Sequence, residues 1–274
     1  MAIPKELYLE LLKGQEEAER IWGIKVPFIL DETISNEHIL LRGQKLAEHL
    51  WYNDANKIYY KGIEILCQKY NVDFSSVLRY CICHETGHAK EQRLFQEIGY
   101  FPFRTKNLPI KPILRNNEFY STFSNGIWDF SINQELAKQN IINKLFKPMF
   151  FDTTDLKEYT SRFGDESEFK LTCLLSLPNV LDVYEHSGLN EGERMVLRES
   201  HLILADFWDR TLSTLQGIKF FDPASKINIT IELLRELLGV NAFLDLEDHK
   251  FLFSRYPNLP KFWSKKAYQI LKLC

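Results

Sequence analysis

Between residues 5 and 22, Leu7, Leu9, Leu11, Leu12, Ala18 and Ile21 recur among charged positions at helical spacing. That pattern predicts a first amphipathic helix. From Lys25 to Ile65 the texture changes to short runs rich in β-branched and aromatic residues: KVPFIL, HILLR and KIYYKGIEIL. Asp-Glu, Asn-Asp and Gly break these runs, which predicts three or four strands of a small sheet. A long helix follows. Asp73 suits its N-cap, Phe74, Val77, Leu78, Cys81 and Ile82 form its apolar stripe, and Gly99 with Pro102 ends it. The three prolines of 101–116 predict a loop. A further helix is expected from about Asn117 to about Asn140. Beyond Pro148 the chain reads as mostly helical, including 190–215, 229–238 and 261–273. The expected organisation is therefore α+β over 1–150 and a helical part over 151–274.

Composition adds exclusions. A net charge of −3, from 34 basic and 37 acidic residues, is not the basic excess of a general nucleic-acid binder. Five cysteines are too few and too irregular for a disulfide framework and point to a reducing compartment. No stretch approaches the ~18 uncharged apolar residues of a membrane span. The N-terminus carries acids inside its apolar pattern, unlike a signal peptide. The expectation is a cytoplasmic protein with no nucleic-acid or membrane partner.

The long helix contains His84-Glu85-Thr86-Gly87-His88. Histidines four apart on a helix lie about 40° apart and one turn up, so both imidazoles can reach one ion. Glu85 lies about 100° from His84, beside such an ion, where a base for an activated water belongs. The apolar stripe continues by helical steps into both histidines, which turns them inward. Two inward histidines beside a carboxylate are costly without a shared partner.

A catalytic zinc site needs a third protein ligand and an open position. In EFYSTFSNGIWDFSINQEL the only charge between Phe119 and Gln134 is Asp129. Ser121, Asn125, Asp129 and Asn133 form a polar stripe at four-residue spacing among large apolar residues. Short amides flanking one acid differ from a solvated face of Lys and Glu and suggest an internal polar site. Asp129 is the candidate third ligand. Asn133, one turn on, is the candidate hydrogen-bond partner of a ligand. Glu118 competes for the third position, Glu135 faces away, and Glu91 lies too close to His88 along the helix. Cys81 shares the histidine face but reads as a small core residue.

HETGH on a helix that follows a small sheet resembles the zincin metallopeptidases. WDFSINQEL resembles the Asp-x-x-x-Asn pattern of bacterial and archaeal metallopeptidase domains found upstream of von Willebrand factor A-like modules. The resemblance covers roughly residues 20–140, and the later helix is similar to the one that supplies a third carboxylate in the glutamate-helix branch. Aspartate stands here in place of that branch's glutamate. No Asp-x-Ser-x-Ser motif follows residue 150, and the extended metzincin motif is absent. The resemblance implies a zincin-like mixed sheet with an active-site helix, Zn2+ as cofactor, a peptide or protein substrate, and hydrolysis with Glu85 as general base. An extended peptide would add to a sheet edge within Lys57–Leu66.

The remaining motifs say less. Tyr184-Glu185-His186 and Glu199-Ser200-His201 read as solvated helix faces. Lys261, Lys265, Lys266 and Lys272 with Phe262, Trp263 and Tyr268 read as an amphipathic helix docked on the protein. Two other classes stay open: a catalytically silent zinc-binding module with a regulatory role, and a helical interaction protein in which HETGH is accidental.

Overall fold

The computed structural model describes residues 5–32, 46–50, 53–97, 117–153 and 166–223, with 225, 226, 229, 230, 232 and 233 beyond them. The described chain is mixed α+β, mostly helical with one small three-stranded sheet. HILLR, the loop 101–116 and the basic-aromatic tail 261–273 lie outside the described residues. No helix among the described residues is long and apolar enough to cross a membrane.

Helix α1 spans Lys5–Trp22, the range the periodicity predicts. Its buried stripe is Leu11, Gly14, Ala18 and Trp22, whereas Leu9 is exposed. Gly23, at φ +67°, ends the helix by donating its N–H to the Glu19 carbonyl at 2.8 Å, the left-handed terminus that glycine adopts without steric cost. Gly14 also allows close packing, since a Cβ there would lie 2.6 Å from Ile82 Cδ1.

Strands β1 (Phe28–Asp31), β2 (Ala47–Leu50) and β3 (Ala55–Tyr59) form a sheet in the order β1-β3-β2. β1 runs parallel to β3, with Phe28 opposite Asn56. β2 runs antiparallel to it, with His49 opposite Asn56. The sheet is thus mixed, with β3 in the centre.

The run KIYYKGIEIL divides where one continuous strand was expected. Lys57–Tyr59 end β3, and Tyr60–Tyr70 form helix α2. Ile63, Leu66 and Cys67 are buried while Ile65 is 44% exposed, so burial follows the helical repeat rather than the alternation of Ile63 and Ile65. The expected peptide-accepting edge within Lys57–Leu66 is therefore overturned. Its strand portion is paired on both sides, and the rest is helix. Among the described residues the edges of this sheet are β1 and β2.

Helix α3 is Phe74–Glu97. Asp73 caps it, accepting the Ser76 N–H at 2.7 Å. Hydrogen bonds from Ser76 hold the Asp73 carboxyl below its ordinary pKa. From Tyr80 to Gly87 every residue is buried. A helix covered on all sides is a core element, and here the core element carries the histidines. Helix α4 is Asn117–Lys138, followed by α5 (Phe146–Thr153). Helices α6 (Glu166–His186) and α7 (Glu191–Glu199), a short 3-10 turn at Leu202–Leu204, and α8 (Ala205–Gln216) follow.

The chain resolves into two compact units, each drawn from three stretches: Met1–Lys90, Ile132–Tyr159 and Val183–Arg194 in one, and Glu91–Ser131, Thr160–Asp182 and Met195–Cys274 in the other. The first holds the sheet, and its core includes Leu11, Trp22, Ile58, Ile63 and Leu78. The second is helical among its described residues, with Phe95, Phe130, Leu177 and Trp208 in its core. In that unit Gly126 lets α4 approach α6, where a Cβ would meet the Asn179 backbone nitrogen at 2.8 Å.

His201 departs from the solvated-face expectation. It is 7% exposed, and its Nδ1–H donates to the Leu197 carbonyl at 2.9 Å. Burial lowers its pKa below the ordinary histidine value, opposed by that backbone hydrogen bond. Above pH ~6.5 the ring is neutral in both folded and unfolded chains. Below it the unfolded chain takes up a proton first, so stability falls with pH until the folded ring titrates as well. The unfolding free energy of wild type should therefore approach that of His201→Asn between pH 7.5 and 5. Urea titrations at the two pH values check this, and a gap that widens on acidification would contradict it.

Candidate metal centre

On α3, His84 and His88 stand one turn apart, with ring centroids 4.9 Å apart and the rings edge to face. His84 is 8% exposed and His88 is half-buried. The opposing residues come from α4. Asn133 Oδ1 accepts from His84 Nδ1 at 2.9 Å and from the Tyr80 hydroxyl at 2.8 Å. The Tyr80 oxygen also lies 3.0 Å from His84 Nδ1. An amide oxygen only accepts, so this contact puts the His84 proton on Nδ1 and leaves the Nε2 lone pair unprotonated. Asp129 precedes Asn133 by one turn on the same unbroken helix.

One ligand atom from each of His84, His88 and Asp129 can be chosen so that all lie within 4.8 Å of one another. Donors on tetrahedral zinc are roughly 3.3 Å apart, given zinc–ligand distances of about 2.0–2.1 Å. Two imidazoles and a carboxylate are a zinc donor set of the catalytic kind, with room for a fourth, exchangeable ligand. The residues therefore fit the metal that the sequence resemblance implies.

The stripe on α4 shows how Asp129 reaches this position. Asn125 is exposed, Asp129 half-buried and Asn133 3% exposed, so the stripe runs from surface to interior. Ser121 and Glu118 have side chains outside the described residues. Glu135 pairs with Lys138 at 2.7 Å on the outer face. Glu91 is 1% exposed and bonded to Lys226, so it is committed elsewhere. Cys81 is a core thiol whose pKa is pushed well up, first by burial and then by the Glu85 charge. Cys83 and Cys67 are likewise pushed up by burial, to about 12 and about 11. Thiols in that state are poor metal ligands.

Glu85 is 8% exposed. Among the described residues its carboxylate makes no hydrogen bond or ion pair, which leaves its oxygens available to a ligand.

Gly87 controls how closely the two helices approach. A Cβ there would lie 2.8 Å from Ile132 Cγ2 and 3.0 Å from Trp22 Cζ2. The Trp22 indole N–H donates to the Cys83 carbonyl at 2.7 Å, so the ring cannot simply swing aside. Gly87→Ala should cost about 1–3 kcal/mol by overpacking. Because Ile132 precedes Asn133, it should also lengthen the His84–Asn133 contact. Urea unfolding reads the first effect and imidazole 15N shifts read the second. A variant as stable as wild type would contradict the close approach.

Three features escape a linear reading. Tyr80 had a local signal, one turn before His84 on the same face. The pair Glu91–Lys226 and the bond from Asn56 to Thr86 had none, because their members are far apart in the chain. No family model, no curated protein and no solved structure matches the chain, so its functional reading rests on the geometry.

Proposed function

We propose that the chain is a zinc-dependent peptidase with a zincin-like arrangement of mixed sheet and metal helix. The observation that carries the reading is the convergence of His84, His88 and Asp129 within 4.8 Å, with Glu85 next to His84 in sequence. His84 and His88 would hold zinc through ring nitrogens and Asp129 through a carboxylate oxygen. When bound, zinc supplies Lewis acidity that polarises the scissile carbonyl and the attacking water.

The chain's own groups do the rest. Asn133 fixes the His84 tautomer and the plane of its ring, the orienting role that partners of metal-bound histidines play. Tyr80 donates to the same amide oxygen and holds Asn133 in turn. Glu85 takes a proton from the attacking water and delivers it to the leaving amine as the peptide bond breaks. The substrate is a peptide or protein segment, for which the edge strands β1 and β2 offer pairing positions.

Metal analysis tests the reading first. The purified chain should carry one zinc per molecule after dialysis. Asp129→Ala should lower zinc affinity, and with it stability in the presence of zinc, since binding to the folded state adds to folding free energy. Equilibrium dialysis with thermal melts measures both. A wild-type chain that retains no zinc would sink the proposal.

A further inference from the structure

Behind the metal-facing side of α3 lies a second polar chain, wholly buried, that the proposed chemistry does not use. His49 on β2 is 7% exposed, Asn56 on β3 is 1% exposed and Thr86 on α3 is 2% exposed. His49 Nδ1 lies 2.9 Å from Asn56 Oδ1. Asn56 Nδ2 donates to Thr86 Oγ1 at 3.0 Å, and the Thr86 hydroxyl donates to the Ile82 carbonyl at 2.7 Å. The donors all point one way. With the Asn56 amide nitrogen on Thr86, its oxygen must accept, so the proton sits on His49 Nδ1.

Placement gives this chain a purpose. Thr86 is two residues from His84 and two from His88, about 200° around the helix from each. It therefore marks the opposite face of the metal-binding turn. Interlocked apolar side chains resist separation of helix and sheet and coarse rolling of the helix, and leave its fine roll angle to directional contacts. A hydrogen bond has a preferred direction. Asn56 sits on the central strand, tied to β1 through its partner Phe28 and to β2 through its partner His49. The bond to Thr86 thus refers the roll of α3 to the whole sheet, and His49 holds the Asn56 amide in the required flip.

We propose that His49, Asn56 and Thr86 form a positioning device that sets the roll of α3 and so aims His84 and His88 at the metal position. Thr86 is the positioning residue at the helix, and it acts through the backbone rather than by touching the ion. This rests on the metal reading above.

Cobalt(II) titration of the full chain tests it, with the visible absorption bands reporting the ligand geometry. Thr86→Val keeps the shape, removes the hydroxyl and leaves Asn56 Nδ2 without its acceptor. It should weaken cobalt binding by about tenfold or more, the scale seen when groups supporting metal ligands are removed, and change the band pattern. Thr86→Ser restores the hydroxyl and should restore both. Leu215→Ala, in the helical unit, serves as a control that lowers stability without touching the device. Wild-type affinity and bands in Thr86→Val would overturn the proposal. So would an equal loss of cobalt binding in Leu215→Ala, because the effect would then be general destabilisation. A wild-type chain that binds no cobalt overturns the metal reading and this proposal with it, a result distinct from the other two.

Discussion

Glu85→Gln is expected to abolish peptide hydrolysis, by ~10²–10⁴-fold for loss of a positioned general base, while zinc content and melting temperature stay at wild-type values. The substitution is nearly isosteric. Glu85 is not among the three converging donors, so the metal keeps its ligands. Among the described residues its carboxylate supports no hydrogen bond or ion pair, so no structural contact is lost. A buried amide is also cheaper than a buried carboxylate, which leaves stability unchanged or slightly raised. The assay is cleavage of a general peptide library by zinc-loaded wild type and variant, read by mass spectrometry. Cleavage by wild type alone supports the enzyme. If both are inert while both bind zinc, the catalytically silent zinc module becomes the better reading. If the variant loses zinc as well, Glu85 is a ligand and the donor set is wrong.

The contrast between Glu85 and Asp129 reflects what a sequence exposes. His84, Glu85 and His88 share one helix, and the helical repeat alone fixes their relative directions. Asp129 comes from another helix, and only the polar stripe from Asn125 to Asn133 pointed inward. In the structure that stripe descends from exposed Asn125 to buried Asn133. Periodicity also located α1, whose buried residues recur at three- and four-residue steps, and α3 and α4, which the fold buries on more than one face. It failed at Tyr60–Leu66, because Ile63 and Ile65 imitate strand alternation while Leu66 and Cys67 complete a helical stripe. Gly62, inside the same run, is a buried helical position. The contact of Asn56 with Thr86 is tertiary, and no spacing rule reports it. The same holds for Lys226 and Glu91, which carry the largest expected effect on stability.

Lys226→Ala should destabilise the chain by about 3–5 kcal/mol, the usual cost of removing one member of a buried ion pair. Lys226 is 0% exposed and Glu91 1% exposed, and the ammonium donates to Glu91 Oε1. The ammonium also sits 4.0 Å from the centre of the Phe220 ring, so the cation is held by a carboxylate and an aromatic face together. Removing Lys226 leaves the Glu91 carboxylate charged in a low-dielectric surrounding and opens a cavity beside Phe220. Both effects act in the helical unit, on the last two turns of α3. Lys226→Met with Glu91→Gln replaces the charges by groups of similar volume. Because the desolvation of two ions offsets much of their attraction, this double variant should recover most of the loss. Urea unfolding of wild type, Lys226→Met, Glu91→Gln and the double variant gives the coupling energy between the two side chains. Hydrogen exchange at residues 91–97 should speed up in Lys226→Ala and return toward wild type in the double variant. Additive losses, with the double variant as unstable as the sum of the singles, would show that the two groups do not stabilise the fold as a pair.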